Sequence, residues 1–236
     1  NEWANGYMYY GLHRTETGWV LREWAPNATA IYMKGDFNQW QKDERYRLSP
    51  VGNGVWEVEL AEDMLSHGQL FKLLVEWNGG YGERIPSYAA RVVQDDQTKI
   101  FSAQVWEEQK AVKKVKCKVK KDEPLFIYEC HIGMSGEEEK VATYEEFRLN
   151  VLPRVAKLGY NCIQIMAIQE HPYYGSFGYH VSNFFAASSR FGTPEELKAL
   201  IADAHSRGMA VIMDLVHSHA VKNELEGLGN FDGTPY

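Results

Sequence analysis

The segment that most constrains the fold is the apolar run Met209–Met213 together with the polar residues that follow it, Asp214, His217 and His219. Such a run is typical of a strand that is buried on both faces of a parallel sheet. A carboxylate at the end of a buried strand is costly unless it is paired. Asp214 is therefore either a structural residue whose carboxylate has a polar partner within the fold or part of a functional site, and this segment by itself leaves both interpretations open.

Two helices are predicted by the signals at their ends. Residues 193–196 form a capping box with proline at the first helical position, and Gly208 ends that helix just before the apolar run. Residues 143–146 form a second capping box, and the helix that begins there is broken or restarted at Pro153 and ends at Gly159. Each predicted helix therefore leads into an apolar run.

The apolar runs indicate the fold class. Three buried strands are predicted, at residues 125–130, 161–168 and 209–213. The order strand, helix, strand, helix, strand is typical of a parallel sheet with helical crossovers. A doubly wound sheet and a (β/α)8 barrel both have this order, but no glycine-rich nucleotide fingerprint follows any of the strands, which favours the barrel. In a barrel the carboxyl ends of the strands form the active-site face, where Glu129 and His131 would join Asp214.

Residues 169–192 form a loop that is too long for a simple connector and is dense in aromatic residues. Aromatic rings suit the apolar face of a sugar, and the hydroxyls around its rim would need partners such as Asp, His and Asn. The alternative is that the loop builds a small aromatic core of its own.

A resemblance to a known family rests on these same residues. Asp214 and His219 resemble the first shared sequence region of the α-amylase family of glycoside hydrolases. Four further stretches resemble the glycogen and starch branching enzymes, in the variety shared by eukaryotes and some bacteria: Tyr128–Gly133, Asn150–Arg154, Leu158–Ile168 and Glu170–Pro194. The resemblance implies an enzyme of glycogen biosynthesis that cleaves α-1,4-glucan (glycogen, amylose or starch). By a retaining double displacement it transfers the chain to a 6-hydroxyl, which makes an α-1,6 branch.

The resemblance also implies roles for individual residues. Asp214 would order the base of the donor subsite and pair with an Arg of a motif that this chain does not contain. His219 would donate a hydrogen bond to the donor glucose, and Tyr179 would stack beneath it. Asn183 and His180 would be further substrate contacts on the same loop.

The first hundred residues predict an immunoglobulin-like β-sandwich. Short β-rich runs alternate with turns at Tyr7–Tyr10, Trp19–Trp24, Ala30–Lys34, Gly54–Leu60 and Leu70–Trp77. The stretches Trp24–Ala28 and Gly35–Trp40 resemble the family 48 carbohydrate-binding module. That resemblance implies glucan contacts by Trp40, Lys72 and either Trp77 or Tyr81. Alternatively, Trp40 and Trp77 are partly buried anchors between the sandwich and the barrel.

Composition and charge exclude several classes of partner. The net charge of −7 argues against nucleic acid and anionic membranes. The exception is Lys110–Lys121, which holds seven lysines and is interpreted as an exposed strand or linker rather than a binding patch. Cys117, Cys130 and Cys162 form no metal-type pair and fit a reducing cytosol, so a cytoplasmic protein without metal or cofactor is expected. Neither a signal peptide nor a membrane span is predicted.

The predicted organisation is a sandwich at residues 1–106, a Lys-rich linker at 107–124 and the first three β/α units of a barrel at 125–236. A complete (β/α)8 barrel takes about 250 residues, and the first residue is Asn1, so a fragment is expected. No Arg is followed two residues later by Asp, as the family's nucleophile motif requires. The nucleophile and the acid/base are thus absent, and the chain alone is predicted to be inactive. Two alternatives are a debranching enzyme of the isoamylase type and a glucan-binding fragment without catalysis.

Overall fold

The computed structural model describes residues 5–235, which form a β-sandwich followed by a small parallel sheet with helices. The sandwich strands are β1 Gly11–Arg14, β2 Gly18–Trp24, β3 Ala28–Gly35, β4 Arg47–Gly52, β5 Val55–Ala61, β6 Leu70–Trp77, β7 Gly80–Arg84, β8 Val92–Gln94 and β9 Phe101–Gln104. They follow the order β1-β2-β5-β4-β3-β6-β9-β8, with β7 paired to β6, and every pair is antiparallel. The predicted sandwich is confirmed.

Alternate residues of the sandwich strands point into one apolar core, as the two-residue period of a strand requires. The fully covered members include Leu21, Ile31, Met33, Leu48, Leu73 and Val75. Each such side chain contributes roughly 1.5–3 kcal/mol by leaving water. This core holds the sandwich together without a disulfide, because all three cysteines are free and lie after residue 110.

One predicted strand is wrong. Residues 7–10 lie in and directly after a short helix, α1 Gly6–Tyr9, which closes with a hydrogen bond from the Tyr10 N–H to the Gly6 carbonyl (2.8 Å). The aromatic run suits a strand by propensity, but the ring of Tyr10 stacks instead on Tyr88 at 5.0 Å. Tertiary packing therefore overrides the local preference.

The second part of the chain is built on three parallel strands, β10 Ile127–Cys130, β11 Cys162–Ile165 and β14 Ala210–Met213, in that spatial order. In the chain between β11 and β14, two further strands, β12 Gln169–Glu170 and β13 Asn183–Ala187, pair with each other in an antiparallel arrangement. Consecutive parallel strands that lie side by side are the arrangement of a (β/α)8 barrel. The predicted fold class of this part is confirmed as the beginning of such a barrel.

The helices of this part begin where the capping boxes predict. The first consists of α2 Tyr144–Glu146, a π-helical turn Phe147–Val151 and α3 Leu152–Lys157, so it restarts beside Pro153. The second, α4 Pro194–Ser206, has both hydrogen bonds of its capping box, between Thr193 and Glu196. Phe147, Leu152 and Leu200 pack these helices against the parallel strands in a second core.

Residues 105–126 connect the two parts without a helix or strand, and their lysines are exposed. The carbonyl of Val115 lies 2.8 Å from Nδ1 of His205, so the segment runs along α4. In residues 5–235 no helix is long and apolar enough to cross a membrane. No cluster of His, Cys, Asp and Glu in the same range could hold a metal ion.

Burial of Glu23 in β2 predicts a pH-dependent stability. Its carboxylate accepts hydrogen bonds from the N–H groups of Trp24 and Ser87 and from the Ser87 hydroxyl, and burial raises the pKa of Glu23 from 4.5 to about 7. Between these values the folded state keeps a proton that the unfolded state has released, so the free energy of unfolding falls as the pH rises. We expect the free energy of unfolding of Glu23→Gln to decrease by up to about 3 kcal/mol less than that of wild type over this rise in pH.

Urea denaturation of wild type and variant at about pH 5 and about pH 8 measures this difference. Glu59→Gln is the matched control, since Glu59 lies exposed on the neighbouring strand β5. An identical pH dependence in wild type and Glu23→Gln would contradict the prediction.

Candidate functional site

Asp214 lies directly after β14, at the carboxyl end of the parallel sheet, and the structure holds its carboxylate from two sides. The Tyr179 hydroxyl donates to Oδ2 at 3.0 Å, and Nε2 of Gln164 donates to Oδ1 at 3.0 Å. The Asp214 N–H donates to the Ile165 carbonyl, also at 3.0 Å, so the backbone is fixed as well. The carboxylate of this half-buried residue is therefore oriented before any ligand arrives.

Gln164 is a site residue that the sequence analysis missed. It lies in β11 beside Glu129 of β10 in the register of the sheet, and its Nε2 is 3.4 Å from Oε1 of Glu129. Glu129 of β10, Gln164 of β11 and Asp214 directly after β14 thus form a polar row. A glutamine between two isoleucines in an apolar run was the available signal, because a buried amide needs hydrogen-bond partners.

Tyr179 reaches Asp214 from the loop between β12 and β13. The preceding residue, Gly178, has φ +88°, and a Cβ there would overlap the Ala167 carbonyl, so only glycine fits this path. Tyr179 packs beside Ala167, Val181 and Val216. Burial, and then its hydrogen bond to Asp214, raises the pKa of Tyr179, which keeps the hydroxyl protonated as a donor.

The backbone of His219 runs close to the same loop. Its carbonyl accepts from the Val181 N–H at 3.1 Å, and the Val221 N–H donates to the Val181 carbonyl at 2.8 Å. His219 is exposed, and its backbone partner Val181 is two residues after Tyr179 in the chain. His217, also exposed, stacks on Phe184 at 6.0 Å. The structure therefore brings Tyr179, Asp214 and residues 219–221, which we call the His219 segment, to one end of the sheet.

Three other aromatic rings of the loop gather around one buried histidine, although one of them, Phe177, is 42% exposed, and Tyr173 and Phe185 are 67% and 46% exposed. His131 is buried, and the rings of Tyr174, Phe177 and Phe191 meet it edge-on at 5.5–5.9 Å. Burial lowers the pKa of His131, so its imidazole is neutral. The loop therefore has a small aromatic cluster around His131 and also keeps exposed rings, while the Tyr179 hydroxyl points to Asp214.

Asn183 and His180 lie in different environments. Asn183 is 1% exposed, and among residues 5–235 neither atom of its amide has a hydrogen-bond partner. It stands opposite Glu170, a buried carboxylate held by the Ser188 and Ser189 hydroxyls and by two N–H groups. His180 is exposed. Substrate contact by either residue stays a prediction, and for Asn183 it would require the covering residues to move.

The residues predicted to bind glucan on the sandwich also differ in exposure. Tyr81 is 75% exposed, whereas Lys72 is 7% exposed and burial lowers its pKa. Trp40 is half-buried, and its indole N–H donates to Asp36 at 3.0 Å. Trp77 lies under the Arg84 guanidinium and against Gly233 of the second part. Trp77 therefore lies as an anchor between the two parts, whereas the ring of Tyr81 is accessible from solvent.

Two domain families match the chain, in the order in which the two parts occur. "Carbohydrate-binding module 48 (Isoamylase N-terminal domain)" matches residues 9–98, and "Alpha amylase, catalytic domain" matches residues 149–226. Among solved structures, the pullulanase SAP of group B Streptococcus in complex with maltotetraose has a TM-score of 0.73 and 20% identity. The match covers 92% of this chain and 34% of that one, and it shows the fold alone.

Curated relatives are much more similar in sequence. A 1,4-alpha-glucan-branching enzyme of Dictyostelium discoideum is 46% identical over 242 aligned residues, which cover 100% of this chain and 35% of the relative. The 1,4-alpha-glucan-branching enzyme 2-2, chloroplastic/amyloplastic, of Arabidopsis thaliana is 47% identical over 98% of this chain and 29% of its own length. The chain thus spans about a third of the length of the curated relatives that it matches.

Proposed function

We propose, from the membership of this chain in the family of 1,4-alpha-glucan-branching enzymes, that the whole protein makes α-1,6 branches in α-glucan. It cleaves an α-1,4 link, holds the released chain as a covalent glycosyl-enzyme and transfers it to a 6-hydroxyl. The observation that carries the proposal is the Tyr179–Asp214 hydrogen bond at the carboxyl end of the parallel strands, beside the segment that bears His219.

This chain supplies the floor of a donor subsite. Tyr179 presents its ring beneath the sugar, because its hydroxyl is held at 3.0 Å by Asp214. His219 donates to a hydroxyl of the donor glucose from the segment beside the loop. Asp214 also pairs with the Arg of the nucleophile motif, which belongs to a later part of the protein. The nucleophile Asp and the acid/base Glu come from that later part too, so the chain by itself binds without cleaving.

Incubation of the full-length protein with linear amylose tests the proposed reaction. Branching is expected to create α-1,6 links, counted by proton NMR, while the number of reducing ends stays constant. A loss of α-1,6 links from a branched glucan would indicate a debranching enzyme instead. The absence of any change in linkage would overturn the proposal.

A second proposal is that the sandwich binds α-glucan weakly through its exposed aromatic surface. Tyr81 offers the most open ring of the predicted set, and the half-buried Trp40 adds a second. We expect Tyr81→Ala to weaken glucan retention roughly fivefold, since an aromatic stacking contact contributes about 1 kcal/mol. Affinity electrophoresis on glycogen gels measures the retention.

Tyr7→Ala is the matched control, because Tyr7 is an exposed tyrosine of the same part and belongs to no predicted glucan contact. If Tyr81→Ala and Tyr7→Ala migrate like wild type on both glycogen and blank gels, Tyr81 makes no glucan contact.

A further inference from the structure

The chain that follows His219 leaves the barrel part and lies on the sandwich. We call residues 222–235 the docked loop. Phe231 is 6% exposed and is a member of the core of the sandwich, and Leu228 packs against that core. The sandwich core is thus completed by a side chain that lies more than a hundred residues after its last strand, β9.

Arg84, the last residue of β7, is the most deeply buried cation at this interface. Its side chain is 3% exposed, and burial lowers its pKa. Nε and Nη2 donate to the Asn230 carbonyl at 3.3 and 2.8 Å, and Nη2 also lies 3.2 Å from a carboxylate oxygen of Glu224. The other Glu224 oxygen accepts from the Asn230 side chain at 2.6 Å. One guanidinium therefore holds two positions of the docked loop together.

A second contact fixes the far end of the docked loop. The Asn27 N–H donates to Oδ2 of Asp232 at 2.8 Å, and Nδ2 of Asn27 donates to the Asp232 carbonyl at 2.8 Å. Asp232 is 1% exposed. Next to it, Gly233 has φ +82° and lies so close to Trp77 that a Cβ would overlap the indole ring. The contact is therefore close-packed, and a side chain at position 233 would have to displace Trp77.

The docked loop begins where the His219 segment ends. Val221 is paired with Val181 next to Tyr179, and Glu224, three residues later, is already held by Arg84. So short a span leaves the backbone little freedom between the sandwich contact and His219. We infer that Arg84 is a positioning residue: through the docked loop it holds His219 in the donor subsite. The inference rests on the proposed function for the role of His219.

Steady-state branching by the full-length protein tests this role. We expect Arg84→Ala to lower kcat about tenfold and to change KM by less than about twofold, because the loss concerns geometry in the transition state rather than glucan affinity. Arg84→Lys keeps a donor for the Asn230 carbonyl and should recover part of the rate. Arg47→Ala is the control, since Arg47 is an exposed arginine of the sandwich and its ion-pair partner, Glu44, is exposed as well. Unchanged kcat in folded Arg84→Ala would overturn the inference.

A double-mutant cycle with His219→Ala separates positioning from a general structural effect. If Arg84 acts through His219, Arg84→Ala should cost little further activity when His219 is already absent. Fully additive losses would overturn the inference. Should Arg84→Ala fail to fold, Asn27→Ala enters the same cycle, because it removes only the side-chain bond to the Asp232 carbonyl.

Hydrogen exchange gives a readout that does not depend on activity. In Arg84→Ala, amides of residues 219–235 should exchange faster, while those of β2 and β5 stay as protected as in wild type. Unchanged exchange in residues 219–235 would overturn the inference even if the enzyme branches glucan. A wild-type protein that makes no branches but shows the faster exchange in Arg84→Ala would instead overturn the proposed function and keep the tethering by Arg84.

Discussion

Asp214→Ala in the full-length protein is expected to lower kcat by roughly 10³-fold, which corresponds to about 4 kcal/mol. The carboxylate accepts from Gln164 and Tyr179 at 3.0 Å each, and by the proposed function it also pairs with an Arg of the nucleophile motif. Its removal leaves that cation without a partner and frees the Tyr179 ring beneath the sugar. Single-turnover rates on maltooligosaccharides measure the loss without interference from product release.

One further variant measures how much of the loss in kcat comes from the hydrogen bond between Tyr179 and Asp214, and a second serves as its control. Tyr179→Phe keeps the ring and removes only the hydroxyl, so it should cost about tenfold, in line with one hydrogen bond to a charged group. Asp122→Ala is the matched control, since Asp122 is an exposed aspartate in the segment between the two parts. If Asp214→Ala kept most of the wild-type rate, Asp214 would be a structural residue, the interpretation that its strand alone leaves open.

The 236-residue chain expressed by itself is expected to associate into species of at least twice the monomer mass. The edge of β14 and the segment after it expose Ile212, Met213 and Leu215. At the other edge of the sheet, Ile127 of β10 and the preceding residue Phe126 are exposed. An apolar strand edge that no neighbour covers recruits another chain. Light scattering across a range of concentrations measures the mass.

Ile212→Lys together with Leu215→Lys should restore the monomer, because charges on an edge strand oppose pairing. Leu225→Lys is the matched control, since Leu225 is an equally exposed leucine on the docked loop. A monomeric wild-type chain with one cooperative thermal transition would contradict the prediction. It would mean that the docked loop and the sandwich stabilise this part of the barrel sufficiently by themselves.

The elements that depend on near neighbours in the chain follow from the sequence. The capping boxes at Thr143 and Thr193 and the strands β2, β3, β5 and β6 lie where the sequence predicts them, because a cap or a two-residue period is encoded within a few residues. The family resemblance places Tyr179 and Asp214 in one subsite, and the structure joins them by a hydrogen bond. Their roles in catalysis stay predictions.

Two other contacts between distant residues were decided by the tertiary structure alone. Gln164 meets Asp214 across 50 residues, and Asn27 meets Asp232 across 205, so no local pattern marks either pair. The stacking of Tyr10 on Tyr88 also explains why the predicted strand at residues 7–10 is wrong. Strand propensity and capping depend on residues that are near one another in the sequence. A buried hydrogen bond between distant residues forms only when their two segments pack together. The sequence therefore determined the two capped helices and the strands named above, and packing decided that the sandwich holds the loop after His219.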